Sequence, residues 1–292
     1  RLLRRAAVGE HAVRGVAQLR GLDLLCLGTA DAQLHLYSVG RGGLVQSVPR
    51  AHVDAISCLR GSWGGPERRI LSGSYDSTVR LWALAPPGLR PLPLCTLEGH
   101  TAKVLCLSNL VLDQLVASGT AAGDVALWDV RTSGGPVHRL RPHAAGAEAT
   151  GVALDDGRRG LVTLSCAADG SVSVSEMRSA RSVSLRAACT GGAQRCAQAY
   201  GGGALTAGDD GVLRLWSTEG LVGQLPAGAD GVGEIRCIDL WQPSSGPARP
   251  LDPGAFLEVG VRVVAGHASG AVSTWTPSPP NSRWSDSVLS IN

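Results

Sequence analysis

Short runs of alternating apolar and polar residues, separated by turns, follow one another along most of the chain. The clearest pair of runs covers residues 56–59 and 69–82, and a closely similar pair follows at residues 104–107 and 115–128. Alternation with a period of two residues is typical of half-buried β-strands. The pattern therefore predicts many short strands and no long helix.

The runs belong to a repeating unit. Each of six units has an apolar strand, a second strand that ends near Gly, a tight turn and a third strand with a characteristic last position. These last positions are Tyr37, Trp82, Trp128, Ser175, Trp216 and Trp275, and successive ones lie 41 to 59 residues apart. The units cover residues 9–38, 50–83, 98–129, 142–176, 193–217 and 233–276. A period of about 40–45 residues is typical of four-stranded propeller blades.

The predicted fold is all-β, a β-propeller of four-stranded antiparallel sheets with six visible units and six or seven blades. One such sheet cannot bury both faces alone, so the copies stack sheet against sheet. Residues 1–276 form a single propeller in this prediction, in which residues 2–8 supply an outer strand of the last blade. Residues 242–250, rich in Pro, are predicted to form a surface loop. Residues 277–292 are predicted to be a polar tail.

The composition is that of a folded chain and argues against several functions. Apolar residues make up 44% and charged residues 17% of the chain, and the net charge is only +3. No basic stripe is present, so nucleic-acid binding is not predicted. No apolar run approaches the roughly 18 residues that span a bilayer. The eight cysteines include no C-x-x-C pair, so neither a metal site nor a cofactor is predicted, and free thiols indicate a reducing, cytoplasmic location.

The motifs Gly99-His100 and Trp128-Asp129, at this period, resemble the WD40-repeat family. The resemblance covers approximately residues 2–275, although only the third unit keeps Trp-Asp, the fifth and sixth lack the His and the fourth lacks the Trp. It implies a propeller that binds proteins and is not an enzyme. In residues 74–82, 116–120 and 193–216, the chain also resembles the C-terminal propeller of BEACH-domain proteins. That resemblance implies part of a larger trafficking or signalling protein, with peripheral membrane association possible through the rest of the protein.

His52, Ser72 and Asp76 have the residue types of a Ser-His-Asp triad, but the resemblance implies a structural role. In WD40 blades, the matching His, Ser or Thr, Asp and Trp form a hydrogen-bonded chain inside one blade. A catalytic triad would occur once, whereas this set partly recurs, so a buried structural network is predicted. Its predicted members, with two turn-forming aspartates, are His52, Ser72, Asp76, Trp82, His100, Ser118, Trp128, Asp169, Asp210 and Trp216.

Partner binding is predicted at one rim of the propeller, where a rigid scaffold holds variable loops. The candidate residues lie near the start of the first strand of a unit or just before the turn Asp. They are Arg14, Asp54, Tyr75, Lys103, Arg195, Asp209, Glu234 and Arg236. The predicted function is a non-catalytic scaffold for proteins or peptides. Two alternatives stay open, a substrate-recruiting propeller of a ubiquitin ligase and a propeller-based enzyme.

Overall fold

The structure is a computed structural model in which strands joined by turns make up the chain. It describes residues 10–19, 22–61, 68–85, 88–132, 134–155, 161–176, 181–185, 192–200, 203–217, 220–226, 233–241, 262–269, 271–276 and 285–289. The predicted outer strand at residues 2–8 and the predicted loop at residues 242–250 lie outside these ranges. Two compact units, residues 2–149 and residues 150–292, are described separately below.

Residues 2–149 hold three antiparallel sheets in which strands adjacent in sequence are adjacent in the sheet. The first sheet consists of β1 (Val13–Leu19), β2 (Leu24–Thr29), β3 (Leu34–Ser38) and β4 (Gly43–Val48). The second consists of β5 (Ile56–Gly61), β6 (Arg68–Ser74), β7 (Val79–Ala85), β8 (Gly88–Leu89) and β9 (Cys95–Leu97). The third consists of β10 (Val104–Leu107), β11 (Leu115–Thr120), β12 (Val125–Asp129) and β13 (His138–Leu140).

The outer edge of the second sheet is split into two short strands. Both β8 and β9 pair with β7, through Leu84 with Leu89 and through Val79 with Leu97. Pro91 and Pro93 lie between the two strands. Proline has no N–H to donate to a ladder, so this segment cannot form one continuous edge strand.

The other unit holds the remaining three sheets, with the same meander order. The fourth sheet consists of β14 (Ala149–Asp155), β15 (Val162–Ala167), β16 (Val172–Glu176) and β17 (Arg181–Leu185). The fifth consists of β18 (Gln194–Tyr200), β19 (Gly203–Gly208), β20 (Val212–Ser217) and β21 (Gly220–Pro226). The sixth consists of β22 (Ile235–Trp241), β23 (Arg262–His267), β24 (Val272–Thr276) and β25 (Ser285–Leu289).

The outer strand of the sixth sheet differs from the sequence prediction. This position belongs to β25, which pairs with β24 from Val272 with Leu289 to Thr276 with Ser285. Part of the segment predicted as a polar tail is therefore a strand, and it takes the place predicted for residues 2–8. An outer strand covers little apolar surface, so its sequence can be polar and carries little of the alternation that reveals inner strands.

These six sheets are the blades of a β-propeller, and the fold is all-β with mostly four-stranded antiparallel blades. The predicted fold class is confirmed. Large side chains from neighbouring sheets fill the core between them. In one cluster, Leu34 and Leu36 of the first blade pack with Ile56, Ile70 and Trp82 of the second.

Glycines near the end of the second strand let neighbouring side chains approach closely. A Cβ on Gly73 would lie 2.7 Å from Sγ of Cys58 and 2.8 Å from Cγ1 of Val104 in the next blade. The same relation recurs at Gly119, where a Cβ would lie 2.6 Å from Sγ of Cys106. The recurring cysteine therefore occupies a small slot beside a glycine, which accounts for a small apolar residue at this position.

The turn between the second and third strands requires a left-handed residue in both units. In the first two blades, Ala32 and Ser77 adopt this conformation with φ of 64° and 66°. Glycine, which adopts it without steric cost, occupies the matching position in the next three blades, as Gly123, Gly170 and Gly211.

We expect Gly73→Ala to lower the free energy of unfolding by about 1–3 kcal/mol, because the added methyl overpacks the contact with Cys58 and Val104. Urea unfolding followed by tryptophan fluorescence measures the change. Gly134→Ala is the matched control, since no atom lies within 4 Å of its added Cβ, and its effect should stay within about 0.5 kcal/mol. Equal effects of the two substitutions would contradict the proposed close approach.

Candidate functional site

A chain of hydrogen bonds runs through the second blade. The indole N–H of Trp82 donates to Oγ of Ser72 at 2.8 Å, and Ser72 Oγ lies 2.7 Å from Nε2 of His52. On its other side, Nδ1 of His52 lies 2.9 Å from Oδ2 of Asp76. Asp76 also accepts hydrogen bonds from the backbone N–H of Val53 and Thr78. The structure thus brings all four predicted residues of this blade into one network.

Asp76, the last acceptor of this hydrogen-bonded network, determines which groups donate and which accept. Because the Asp76 carboxylate can only accept, Nδ1–H of His52 donates to it and Nε2 accepts from the hydroxyl of Ser72. Burial alone would raise the pKa of Asp76, but donors from His52, Val53 and Thr78 outweigh it and hold the pKa well below its usual value. Burial lowers the pKa of His52, partly offset by the bond to Asp76.

The side chains of this network are buried, as a structural network requires. Ser72 has no exposed surface and His52 is 3% exposed, so a substrate carbonyl cannot reach the Ser72 hydroxyl. The third blade repeats the arrangement without the acid. There Trp128 donates to Ser118 Oγ at 2.7 Å, and His100 Nε2 lies 2.6 Å from the same atom.

The fifth blade forms similar hydrogen bonds with other residues. In the fifth blade, Trp216 donates to Oγ1 of Thr206 at 2.8 Å. Asp210 there forms an ion pair with Arg214, whose side chain is 5% exposed. A buried arginine thus serves the aspartate where the second blade uses histidine, a role that the sequence analysis did not assign because it sought histidine.

One further position completes the predicted set, and the sixth blade adds a histidine that was not predicted. Asp169 accepts from the backbone N–H and the hydroxyl of Ser171, as expected of a turn-forming aspartate. In the sixth blade, His267 at the end of β23 lies 2.7 Å from Ser273 Oγ. The sequence analysis missed this histidine because it sought one before the first strand of the blade.

The network also fixes the backbone of the loop and the turn at one end of the second blade. We call the end of a sheet at which its first strand begins its top end, and the turn between the second and third strands lies there too. In the second blade, Ser74 Oγ donates to the carbonyl of Asp54, and the Tyr75 N–H donates to that of Ala55. With the bond from Val53 to Asp76, these contacts tie the loop before β5 to the turn after β6.

Three candidate rim residues meet at the top ends of residues 2–149. Arg14 comes from the first blade, Tyr75 from the second, and Lys103 immediately precedes the first strand of the third. Nη1 of Arg14 donates to the Tyr75 hydroxyl at 3.1 Å, and its Cζ lies 5.3 Å from the ring centroid. Nζ of Lys103 lies 4.7 Å from the same centroid. Asp54 is exposed nearby along the chain, and its carboxylate accepts from the N–H of Ala55.

The other four candidate rim residues pair among themselves within residues 150–292. Nε and Nη2 of Arg195 each lie 2.7 Å from a carboxylate oxygen of Asp209. Hydrogen bonds from Arg195 lower the pKa of Asp209, and the charge of Arg236 adds to this. Arg236 itself forms an ion pair with Glu234.

A shared backbone feature places the three arginines. Register shifts mark β-bulges between Val13 and Gly15, between Gln194 and Cys196, and between Ile235 and Cys237. Arg14, Arg195 and Arg236 are the extra residues of these bulges. A bulge residue is left out of the ladder and its side chain is re-aimed, which frees it for contacts at the top end.

Comparison with known proteins agrees with this architecture. The family model "WD domain, G-beta repeat" matches residues 43–83 and 92–129, which include the networks of the second and third blades. The chain is a β-propeller with WD40 repeats in the matched residues. Such propellers generally bind proteins and are usually not catalytic. This general expectation agrees with the function predicted from the sequence.

The curated relatives of this propeller are distant. It is 27% identical to the pre-rRNA-processing protein IPI3 of Mycosarcoma maydis over 40% of this chain and 24% of that protein. It is 36% identical to mitochondrial division protein 1 of Neosartorya fischeri over 28% of this chain and 11% of that protein. For protein lethal(2)denticleless of Drosophila melanogaster, identity is 34% over 29% of this chain and 11% of that protein. The matched region thus spans a quarter or less of each relative.

The described residues also bear on metal binding and membrane insertion. Among the described residues, no three His, Cys, Asp or Glu side chains converge to hold a metal ion. The described part of the chain contains no helix that is both long and apolar enough to cross a membrane.

We expect Asp76→Ala to lower the free energy of unfolding by about 1–3 kcal/mol, because it leaves the buried Nδ1–H of His52 without an acceptor. Chemical unfolding of both proteins measures the loss. Asp124→Ala is the control, since it removes an exposed pair with Arg141 and should cost at most about 1 kcal/mol. A smaller effect at Asp76 than at Asp124 would rule out the proposed role of the network.

Stability should also fall as the pH drops from about 6.5 to about 4. The pKa of His100 is lowered to about 4, first by burial and then by the charge of Arg139. Since the folded pKa is below the unfolded one, the unfolded state binds more protons in this window, and stability present above pH 6.5 is lost toward pH 4. For His100 alone the loss is up to about 3 kcal/mol, and His52 acts in the same direction.

Unfolding free energies measured at several pH values test this dependence. His100→Gln should flatten the slope between pH 6.5 and 4, while replacing the exposed His138 controls for the removal of a histidine. Parallel pH curves for the wild type and His100→Gln would show that His100 does not cause the acid sensitivity.

Proposed function

We propose that the chain is a non-catalytic scaffold that binds proteins or peptides through side chains at the top ends of its blades. The observation that carries this proposal is the convergence of Arg14, Tyr75 and Lys103 from three blades. Each belongs to a different sheet, so their meeting is a property of the folded unit rather than of one loop.

The chemistry of these residues suits an interface. Tyrosine and arginine are favoured anchors of protein interfaces because they offer a large contact area together with hydrogen-bonding groups. Arg14 and Lys103 are exposed and Tyr75 is half-buried. The buried network beneath Tyr75 holds the loop and the turn in place, so a partner would meet a preorganised surface, which lowers the entropic cost of binding.

The charged pairs of residues 150–292 provide further candidate contacts. Arg195, Asp209, Glu234 and Arg236 present both signs of charge. Exposed charges of this kind contribute more to specificity and to association rate than to affinity. In this proposal, the top ends of the blades therefore provide one anchoring cluster and additional charges that select the partner.

The proposal extends to a larger protein. The matched region covers between 11% and 24% of the relatives described above. Their names refer to different processes, so they support no single pathway. We propose that the chain is the propeller of a cytoplasmic trafficking or signalling protein of the BEACH type, on the resemblance in residues 74–82, 116–120 and 193–216. Among the residues that the structure describes, no contact favours a ubiquitin-ligase or enzyme role.

Simultaneous replacement of Arg14, Tyr75 and Arg236 by alanine should abolish partner capture and leave thermal stability unchanged. The side chains of both arginines are on the surface, so their loss leaves the buried networks intact. Quantitative mass spectrometry of proteins cross-linked to the immobilised chain in cell extract measures capture, and a thermal melt of each purified variant measures stability.

The matched control removes two arginines and one large side chain away from the top ends. Arg41, Leu92 and Arg131 are all exposed, and their combined replacement by alanine should leave capture intact. Full capture by the Arg14, Tyr75 and Arg236 variant would contradict this assignment of the binding surface.

A further inference from the structure

We propose that Arg14, Tyr75 and Lys103 form a receptor site for an anionic side chain of a bound peptide, either a phosphorylated serine or threonine or a carboxylate. This inference rests on the proposed function and specifies the chemistry of its ligand. The shared chemistry is an oxyanion that is placed between two cations and beside the Tyr75 hydroxyl.

The first observation is that two cations contact one aromatic ring. The guanidinium of Arg14 and the ammonium of Lys103 both lie within about 6 Å of the ring centroid of Tyr75, the range of cation–π attraction. The ring attracts each cation, yet the two charges repel one another. An oxyanion would remove this repulsion and accept hydrogen bonds from both side chains.

The second observation is that no acid neutralises this cluster. Within the described ranges, neither Arg14 nor Lys103 forms an ion pair with a carboxylate. The neighbouring Asp76 is engaged by His52 and Val53, and Asp54 directs a carboxylate oxygen to the N–H of Ala55. Many other arginines do have acidic partners, as the pairs Arg131–Asp129, Arg141–Asp124, Arg195–Asp209, Arg214–Asp210 and Arg236–Glu234 show.

A comparison of two matching positions shows how the free charge arises. Tyr75 and Asp209 each follow the last residue of the second strand of their blade. At Asp209, a carboxylate meets the bulge arginine Arg195 and neutralises it. At Tyr75, an aromatic ring holds the bulge arginine Arg14 without neutralising it. Arg195 and Asp209 belong to one blade, whereas Arg14 of the first blade meets Tyr75 of the second. A bulge arginine thus forms a satisfied ion pair in one case and, beside an aromatic ring of the next blade, part of an anion receptor in the other.

The site is also held rigidly from below. The Tyr75 N–H donates to the carbonyl of Ala55, and the next residue is Asp76 of the buried network. Lys103 is fixed through its carbonyl, which accepts from the N–H of Ala121. The ligand would therefore meet an aromatic ring and a lysine whose backbones are already positioned.

A peptide array tests the inference with defined probes. Each decapeptide is synthesised in three forms with identical flanking residues and a central phosphoserine, glutamate or glutamine. The biotinylated 292-residue chain is applied at low and at high salt. We expect the phosphoserine or glutamate form to retain about tenfold more chain than its glutamine twin at low salt, and less so at high salt. The ratio of the phosphoserine to the glutamate signal distinguishes the two sources of the anion.

Variants locate the binding to the cluster. Arg14→Gln and Lys103→Gln should each reduce the preference for the anionic forms about tenfold. Arg195→Gln is the matched control, because it removes one positive charge at the equivalent bulge position and should leave the preference unchanged. Arg41→Gln is a second control at the opposite end of the first blade.

Other outcomes would contradict the anion site in different ways. Equal retention of all three forms would overturn the anion site while leaving peptide binding at the top ends intact. No retention of any peptide would count against both this inference and the proposed function. If the preference for anionic peptides persists in Arg14→Gln and Lys103→Gln, the anion binds elsewhere on the chain. If a spot of single-stranded oligothymidylate retains more of the chain than the peptides do, the ligand is a nucleic acid rather than a peptide.

Discussion

The buried indole N–H of Trp82 needs an acceptor, and the second blade is organised around meeting that need. Its bond to Ser72 leads through His52 to Asp76, which ends the chain of donors with a carboxylate. Burying such polar groups without partners would cost about 1–3 kcal/mol each. Because Asp76 also binds the N–H of Val53, the same network that stabilises the blade fixes the top-end loop and, next to it, Tyr75.

The blades satisfy this constraint to different degrees. The third keeps the tryptophan, serine and histidine but has Ala122 in place of the acid. The fifth keeps the tryptophan with Thr206 and pairs its turn aspartate with a buried arginine. In these three blades the requirement is therefore that the buried indole N–H finds a hydroxyl acceptor, and the residues around that pair can change. Such exchange is possible because the strand ladders already hold the backbone.

The strands could be predicted from the sequence because period-two alternation is a local rule. The Trp82 network was predicted from the resemblance to WD40 repeats, supported by the need to pair buried polar groups. Features that depend on distances between sheets did not follow. Tyr75, Arg14 and Lys103 were each candidates, but alternation says nothing about which of them meet. The Arg214–Asp210 pair was missed because its residues differ from the repeat pattern. The strand β25 was missed because a solvent-facing edge strand needs few apolar residues.

The β-bulges place the proposed binding arginines outside the strand ladders that hold these blades. Arg14 and Arg195 lie outside the hydrogen-bonded ladder, so their side chains can change without loss of a backbone hydrogen bond. What each arginine does depends on its contact at the turn, which is an aromatic ring at Tyr75 and a carboxylate at Asp209. The residue that follows a second strand, in the same blade for Arg195 and in the next blade for Arg14, therefore sets whether the arginine forms an ion pair or keeps its positive charge. The blade can thus acquire a new electrostatic surface while its buried network remains unchanged.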